Sequence, residues 1–209
     1  HGAAEFVVSE VPDTDWVAKV RRDLAPVVAA RFFVHGSHDA DNVPEGSVPL
    51  LIEAAMAFGT GHHGTTQGCL TALDALASEG FLPRTIADVG CGTAVLAMAA
   101  KRVFPEAGVH ASDIDDVAIE VASANLAANG MSGAVATHVA AGVDHPALAA
   151  AAPFDLVFAN ILKGPLVDLA PALADALAPR GRVILSGILT GQADEVTGVY
   201  SRLGINLRQ

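Results

Sequence analysis

The sequence predicts an α/β protein with a doubly wound, mostly parallel sheet, and three observations support this fold class. Five short runs of β-branched and apolar residues alternate with helical stretches, as in strands joined by crossover helices. A glycine-rich turn, Gly90-Cys91-Gly92, separates the first of these strands from a helix. An acid, Asp113, ends the next strand about 20 residues later. The hydrophobic fraction of 52% over 209 residues is sufficient for a buried core.

Residues 1–50 are the least regular part, and we interpret them as a linker or lead-in segment to a main unit at 51–209. The predicted elements of the lead-in are a helix over 16–24, a strand over 31–35, a loop over 39–49 and a short strand over 50–52. The strand over 50–52 leads into the main unit.

The main unit begins with a loop over 57–66 that is rich in glycine, threonine and histidine. Such a loop before a helix suits a polar ligand, although a simple capped turn is the alternative. The adjacent His62 and His63 have no acidic or cysteine ligand nearby, so no metal site is predicted. Cys69 and Cys91 form no Cys-x-x-Cys pair, so structural zinc is not expected either.

Further elements follow from apolar runs and from the turn residues between them. In order, they are a helix over 66–78, a strand over 85–89, a helix to 104, a strand over 108–113, a helix over 117–128, a strand over 135–139, an alanine-rich crossover over 140–153, a strand over 154–160, a helix over 165–177, a strand over 182–187, a helix over 192–203 and a weak strand over 205–208.

Polar residues close three of these strands. Ligands of parallel sheets bind at the carboxyl ends of the strands, so we expect Asp88, Asp113 and Asn160 to flank the glycine turn. An acid at the position of Asp113 accepts hydrogen bonds from an adenosine ribose. A dinucleotide loop would need glycine where Val95 stands, which disfavours a nicotinamide-dependent oxidoreductase. That oxidoreductase and a non-catalytic binding module remain the alternatives.

The composition indicates which classes of binding partner the protein can have. The formal net charge of −11 argues against direct nucleic-acid binding and is compatible with a basic protein substrate. No apolar run reaches the ~18 residues of a membrane helix, and there is no signal peptide, so no membrane partner is expected. Two cysteines fit a reducing cytoplasm. The oligomeric state is not indicated.

Several motifs, taken in order, resemble those of the PrmA family, the methyltransferases of ribosomal protein L11. They are Phe58-Gly59-Thr60-Gly61-His62-His63-Gly64-Thr65-Thr66, Asp88-Val89-Gly90-Cys91-Gly92, Ser112-Asp113-Ile114-Asp115, Ala159-Asn160-Ile161-Leu162-Lys163-Gly164-Pro165-Leu166 and Leu185-Ser186-Gly187-Ile188-Leu189. The resemblance extends from about Asp15 onward and implies a Rossmann-like class I methyltransferase fold. The first and fourth motifs are specific to the family, whereas the glycine turn indicates only the class.

The resemblance also implies a cofactor, S-adenosyl-L-methionine, and transfer of its methyl group to lysine side chains and an N-terminal amine of the ribosomal protein. By position, the residues that contact the cofactor are Thr66, Gly90, Asp113 and Asn160, and those that shape the pocket over its methionine end are Phe58, Gly59, Thr60, Gly61 and His62. Asn160 also positions the substrate beside the methyl group. To these we add Asp88 and Gly92 as cofactor-binding residues and His62 as a candidate proton acceptor.

The sequence departs from the family pattern in three places. Ala94 stands where the third glycine of the turn is usual. The resemblance implies an N-terminal substrate-recognition domain before the lead-in and a last strand beyond Leu207, and neither is expected within the 209 residues. Without the recognition domain, another protein or a small molecule remains an alternative substrate.

Overall fold

A computed structural model describes residues 26–52 and 63–207. The part before the glycine turn contains a small three-stranded sheet, made of β1 (Val27–Ala29), β2 (Phe32–His35) and β3 (Val48–Leu51). β2 pairs antiparallel with β1 and parallel with β3. The strands predicted over 31–35 and 50–52 are therefore confirmed, whereas β1 was not predicted. The helix predicted over 16–24 lies outside the described residues.

The main sheet has five parallel strands in the order β6-β5-β4-β7-β8. They are β4 (Thr85–Val89), β5 (Gly108–Asp113), β6 (Val135–Val139), β7 (Phe154–Asn160) and β8 (Leu177–Ser186). β4 to β7 have the predicted bounds, whereas β8 begins five residues before the strand predicted over 182–187. The strand order runs outward from β4 in both directions, with β5 and β6 on one side and β7 and β8 on the other, as in doubly wound folds.

Helices cover both faces of this sheet. In chain order they are α1 (His63–Ser78), α2 (Val95–Val103), α3 (Asp116–Ala128), α4 (Pro146–Ala151), α5 (Lys163–Asp168), α6 (Ala170–Ala176) and α7 (Ala193–Arg202). Short 3₁₀ turns span Ser37–Asn42 and Thr190–Gln192.

Two hydrophobic cores lie on opposite faces of the sheet. One joins α1, α2, α3 and the small sheet, and buries Phe32, Leu50 and Met98 completely. The other joins α4 to α7 and is closed by Tyr200, whose hydroxyl donates a hydrogen bond to the Leu166 carbonyl at 2.9 Å. The doubly wound α/β prediction is confirmed.

Two predicted elements near the end of the chain are wrong. The helix predicted over 165–177 is two helices, α5 and α6, because Pro171 has no N–H to donate to the Val167 carbonyl. Residues 205–207 form no strand: the Ile205 N–H closes the last turn of α7 on the Tyr200 carbonyl, and Ile205 packs on the second core.

Candidate functional site

A cavity of ≈ 490 Å³ lies at the carboxyl edge of the main sheet. All five strands contribute to its lining at or just after their last residue: Val89 and Gly90 for β4, Asp113 and Ile114 for β5, Ala140, Ala141 and Gly142 for β6, Asn160, Ile161 and Leu162 for β7, and Gly187 for β8. Pro165, Asp168 and Leu169 close it from the side. Its volume suits a small-molecule ligand or cofactor.

The glycine turn is held by backbone hydrogen bonds to the neighbouring strand. The N–H groups of Gly90 and Cys91 donate to the Ser112 carbonyl at 2.8 and 3.0 Å. Gly90 and Gly92 have φ angles of +70° and +50°, the left-handed region that glycine adopts without strain. A Cβ atom on Gly90 would collide with the Ile161 side chain, so this position also requires glycine for space.

Asp113 connects the end of β5 to the turn. Its Oδ2 accepts a hydrogen bond from the Gly92 N–H at 3.0 Å, and its Oδ1 accepts one from the Asp115 N–H at 3.1 Å. Because a carboxylate offers about four acceptor positions, Asp113 keeps capacity for a ligand hydroxyl in the cavity. The structure thus brings Asp113, Gly90 and Gly92 together.

Asn160 ends β7 on the other side of the turn. Its Oδ1 is buried and has no hydrogen-bond partner within the described residues, and the residue itself lines the cavity. A buried acceptor without a partner costs about 1–3 kcal/mol, so such an atom indicates a place where a ligand supplies the donor.

Asp88 is the last residue but one of β4, and it does not line the cavity. Its side chain is buried and its Oδ2 accepts a hydrogen bond from the Ala97 N–H at 3.0 Å, in the first turn of α2. Ala94 precedes this helix and cannot cap it with its methyl group, so Asp88 satisfies an N–H that a capping side chain normally takes.

The environment of Asp88 favours its neutral form. Burial raises its pKa, the Ala97 hydrogen bond opposes this, and the charge of Asp113 adds to it, which brings the pKa to about 7. Asp88 therefore holds the helix behind the turn, and its predicted contact with a cofactor stays a prediction.

The remaining predicted residues belong to the loop and helix before β4. Thr66 is buried in the first turn of α1 and is not among the residues that line the cavity. The Ser186 hydroxyl donates to the Thr65 carbonyl at 3.4 Å, which places the start of α1 beside the end of β8, at the same edge as the cavity. Phe58, Gly59, Thr60, Gly61 and His62 lie outside the described residues.

Among the lining residues that were not predicted as site residues are Ile114, Gly187 and Asp168. Ile114 directly follows Asp113, the last residue of β5, and Gly187 directly follows β8. Both could have been predicted from their positions just after the end of a strand. A Cβ on Gly187 would collide with the Ile161 backbone, which explains the glycine there. Asp168 comes from α5, and no pattern in the sequence brings it to the cavity.

The charge of the site is negative. Among the described residues that line the cavity, the ionisable side chains are Asp113 and Asp168. In the part of the chain that the structure describes, no three His, Cys, Asp or Glu side chains gather as a metal site. Over the same residues, no helix has the length and apolar character needed to cross a membrane.

Comparison with known proteins shows what this chain is similar to. The family described as ribosomal protein L11 methyltransferase (PrmA) matches residues 1–209. A curated relative of that name from Brucella abortus is 46% identical over 204 residues, which cover 98% of this chain and 71% of the relative. One from Chelativorans sp. is 48% identical over 199 residues, or 95% of this chain and 68% of the relative.

Solved structures agree. The ribosomal protein L11 methylase of Lactobacillus delbrueckii subsp. bulgaricus superposes with a TM-score of 0.74 at 26% identity, covering 89% of this chain and 93% of that one. The precorrin-6y C5,15-methyltransferase of Geobacter metallireducens, at 18% identity, a TM-score of 0.53 and coverage of 63% and 69%, shares the fold alone. On the match over its whole length and the identity to these relatives, the chain belongs to the ribosomal protein L11 methyltransferase (PrmA) family.

Proposed function

We propose that this chain binds S-adenosyl-L-methionine and transfers its methyl group to primary amines of ribosomal protein L11, both lysine side chains and the N-terminal amine. The observation that supports this most is the meeting of the glycine turn, Asp113 and the unpartnered Asn160 Oδ1 around one cavity, in a chain of this family. We place the reaction in the cytoplasm, with a basic protein as partner and with neither nucleic acid nor a membrane.

The residues present fit this cofactor. Asp113 and the Asn160 Oδ1 are acceptors, and the cofactor carries ribose hydroxyl and ammonium donors. Gly90 lets the backbone approach a ligand because it has no Cβ. A cavity whose described ionisable residues are both acids favours a positively charged sulfonium and disfavours a pyrophosphate, which counts against a nicotinamide cofactor.

When bound, S-adenosyl-L-methionine supplies an electrophilic methyl group on a positively charged sulfur. The substrate amine must be neutral to attack it, and for a lysine at pH 7 the loss of the proton costs roughly 4.6 kcal/mol. Ile161 and Leu162 contribute apolar lining to the cavity, and desolvation there would lower the pKa of an amine that enters it.

Alignment supplies much of the remaining rate enhancement. We assign Asn160 to position the amine and the cofactor, because it stands at the end of β7 beside Gly90 and Ile161. We propose Thr66, Gly90, Gly92 and Asp113, together with Phe58, Thr60 and Gly61, as the cofactor-binding set. Asp88 acts on that set through α2, and His62 is the candidate proton acceptor.

The test is transfer of a radiolabelled methyl group from S-adenosyl-L-methionine to purified ribosomal protein L11. Asn160→Ala is expected to lower kcat/KM by roughly 100-fold, the scale of a lost positioning contact. Asn42→Ala is the matched control, since Asn42 lies in the 3₁₀ turn Ser37–Asn42, does not line the cavity and donates its side-chain N–H to Asp39 Oδ1 at 3.0 Å.

The outcomes separate the alternatives. Labelling of a different protein in whole lysate, with L11 unlabelled, would show that the chain is a methyltransferase whose substrate is a protein other than L11. Cofactor binding with no transfer to any protein would support a non-catalytic module. Binding of NAD without S-adenosyl-L-methionine would refute the proposal.

A further inference from the structure

The cavity has two ends with different chemistry. It runs along the sheet from the residues after β6 to Gly187 after β8. Asn160, the proposed methyl-transfer residue, ends β7, and Asp113, the proposed ribose acceptor, ends β5. If the methyl group lay toward β7 and the ribose at β5, the base of the cofactor would extend to the opposite side, toward β6.

The β6 end is closed by α5. A Cβ on Gly142 would lie only 2.6 Å from Leu169 Cδ2, so the segment after β6 and the end of α5 are in direct contact. Asp168, the last residue of α5, immediately precedes Leu169 and also lines the cavity. Gly142 and Leu169 therefore bound the end of the cavity where the base would lie, and the exposed Asp168 lines the cavity next to Leu169 in the chain.

Asp168 is the polar side chain at this end among the described residues. Ala140, Ala141 and Gly142 offer no side-chain donor or acceptor. Asp113 already accepts hydrogen bonds from Gly92 and Asp115, whereas Asp168 makes no side-chain hydrogen bond or ion pair within the described residues. An ionised carboxylate only accepts hydrogen bonds, so it distinguishes an amino group from a carbonyl oxygen.

We propose that Asp168 is a specificity-determining residue of the cofactor site, which accepts a hydrogen bond from the exocyclic amino group of adenine. This rests on the proposed function, because it requires S-adenosyl-L-methionine in the cavity. A purine with an oxygen in place of the amino group would face the carboxylate with a second acceptor, and the pair would repel. Asp168 thus selects adenine over a keto purine.

The experiment compares two ligands by calorimetric titration: S-adenosylhomocysteine, and S-inosylhomocysteine, which carries oxygen in place of the amino group. The wild-type chain is expected to bind the adenosyl compound at least 10-fold more tightly. Asp168→Ala should weaken the adenosyl compound 5- to 10-fold, the scale of one net hydrogen bond, and leave the inosyl compound unchanged or tighter. Asp168→Asn, which can donate to the oxygen, should bind the inosyl compound more tightly than wild type does.

Asp175→Ala is the matched control, because Asp175 is an exposed acid on α6 that does not line the cavity. Equal affinities of Asp168→Ala and the control for the adenosyl compound would overturn the proposal, and so would an equal loss for both ligands in Asp168→Ala. If wild type binds neither ligand, the cofactor assignment itself fails, which is a different result from an unchanged Asp168 variant. Circular dichroism melting curves confirm that each variant is folded.

Discussion

Asp88 at the end of β4 and Asp113 at the end of β5 look alike in the sequence and behave differently in the structure. Each acid lies within the last two residues of an apolar strand, and each accepts a hydrogen bond from a backbone N–H. Asp88 is buried beneath α2, and its pKa is raised to about 7, mainly by burial. Asp113 is half-buried and lines the cavity.

The register of the sheet explains this difference. β4 and β5 are parallel neighbours, and Asp88 pairs with Ala111, two residues before Asp113. At about 3.3 Å per residue, Asp113 therefore lies roughly 7 Å further toward the carboxyl edge. Asp113, which is nearer the carboxyl edge, can therefore contact a ligand, whereas Asp88, which is further inside the sheet, caps α2.

Replacing Asp113 tests the ligand side of this comparison and is expected to have the largest effect. Asp113→Ala removes the acceptor for the ribose and releases the Gly92 N–H. Charge-assisted hydrogen bonds contribute about 1.5–3 kcal/mol each, so we expect the Kd for S-adenosylhomocysteine to rise roughly 30- to 100-fold in a calorimetric titration.

Asp116→Ala is the matched control for Asp113→Ala, because Asp116 is an exposed acid in the first turn of α3. Its affinity should stay within about twofold of wild type. An Asp113→Ala variant that binds as tightly as this control would remove Asp113 from the ribose role.

The sequence predicted which residues lie at the edge of the sheet, but not how deep each one lies. Strand alternation, the turn glycines and the acid spacing located β4, β5, β7 and the polar residues that close them. Register depends on how neighbouring strands slide against each other, which no local pattern fixes. Asp168 was missed for a similar reason, since it reaches the cavity only through the contact between α5 and Gly142.

Replacing Asp88, the buried acid of the pair, should change how the free energy of unfolding depends on pH. The folded pKa of about 7 is above the unfolded value of 3.8, so the folded state holds the proton more tightly. The stabilisation is full below pH 3.8, declines as the pH rises toward 7, and is lost above it. Asp88→Asn keeps an acceptor for the Ala97 N–H and has no proton to lose, so it should abolish this decline.

The measurement is the urea midpoint of unfolding for wild type and Asp88→Asn at pH 5, 6, 7 and 8. Asp88→Asn should gain on wild type by as much as a few kcal/mol between pH 5 and 8, because each pKa step of one corresponds to about 1.4 kcal/mol. Asp175→Asn is the surface control and should follow wild type. Parallel curves for all three proteins would show that Asp88 is ionised in the folded state throughout this range.

Replacing Ala94 is expected to have the smallest effect. Ala94 lies between the glycine turn and α2, the helix whose first turn Asp88 caps. Its φ of +61° is left-handed, which costs an alanine about 1–2 kcal/mol relative to glycine, yet its methyl group is fully buried. Ala94→Gly removes the strain, which stabilises the fold. It also loses about 0.8 kcal/mol of apolar burial, and the greater entropy of the unfolded chain adds a cost of about 0.4–1 kcal/mol. These contributions nearly cancel, so the free energy of unfolding should change by less than about 1 kcal/mol.

Ala99→Gly is the control, because Ala99 is equally buried but lies inside α2 and has no strain to relieve; this variant should lower the free energy of unfolding by about 2 kcal/mol. Equal losses in the two variants, measured by urea unfolding, would mean that the left-handed turn imposes no strain on Ala94.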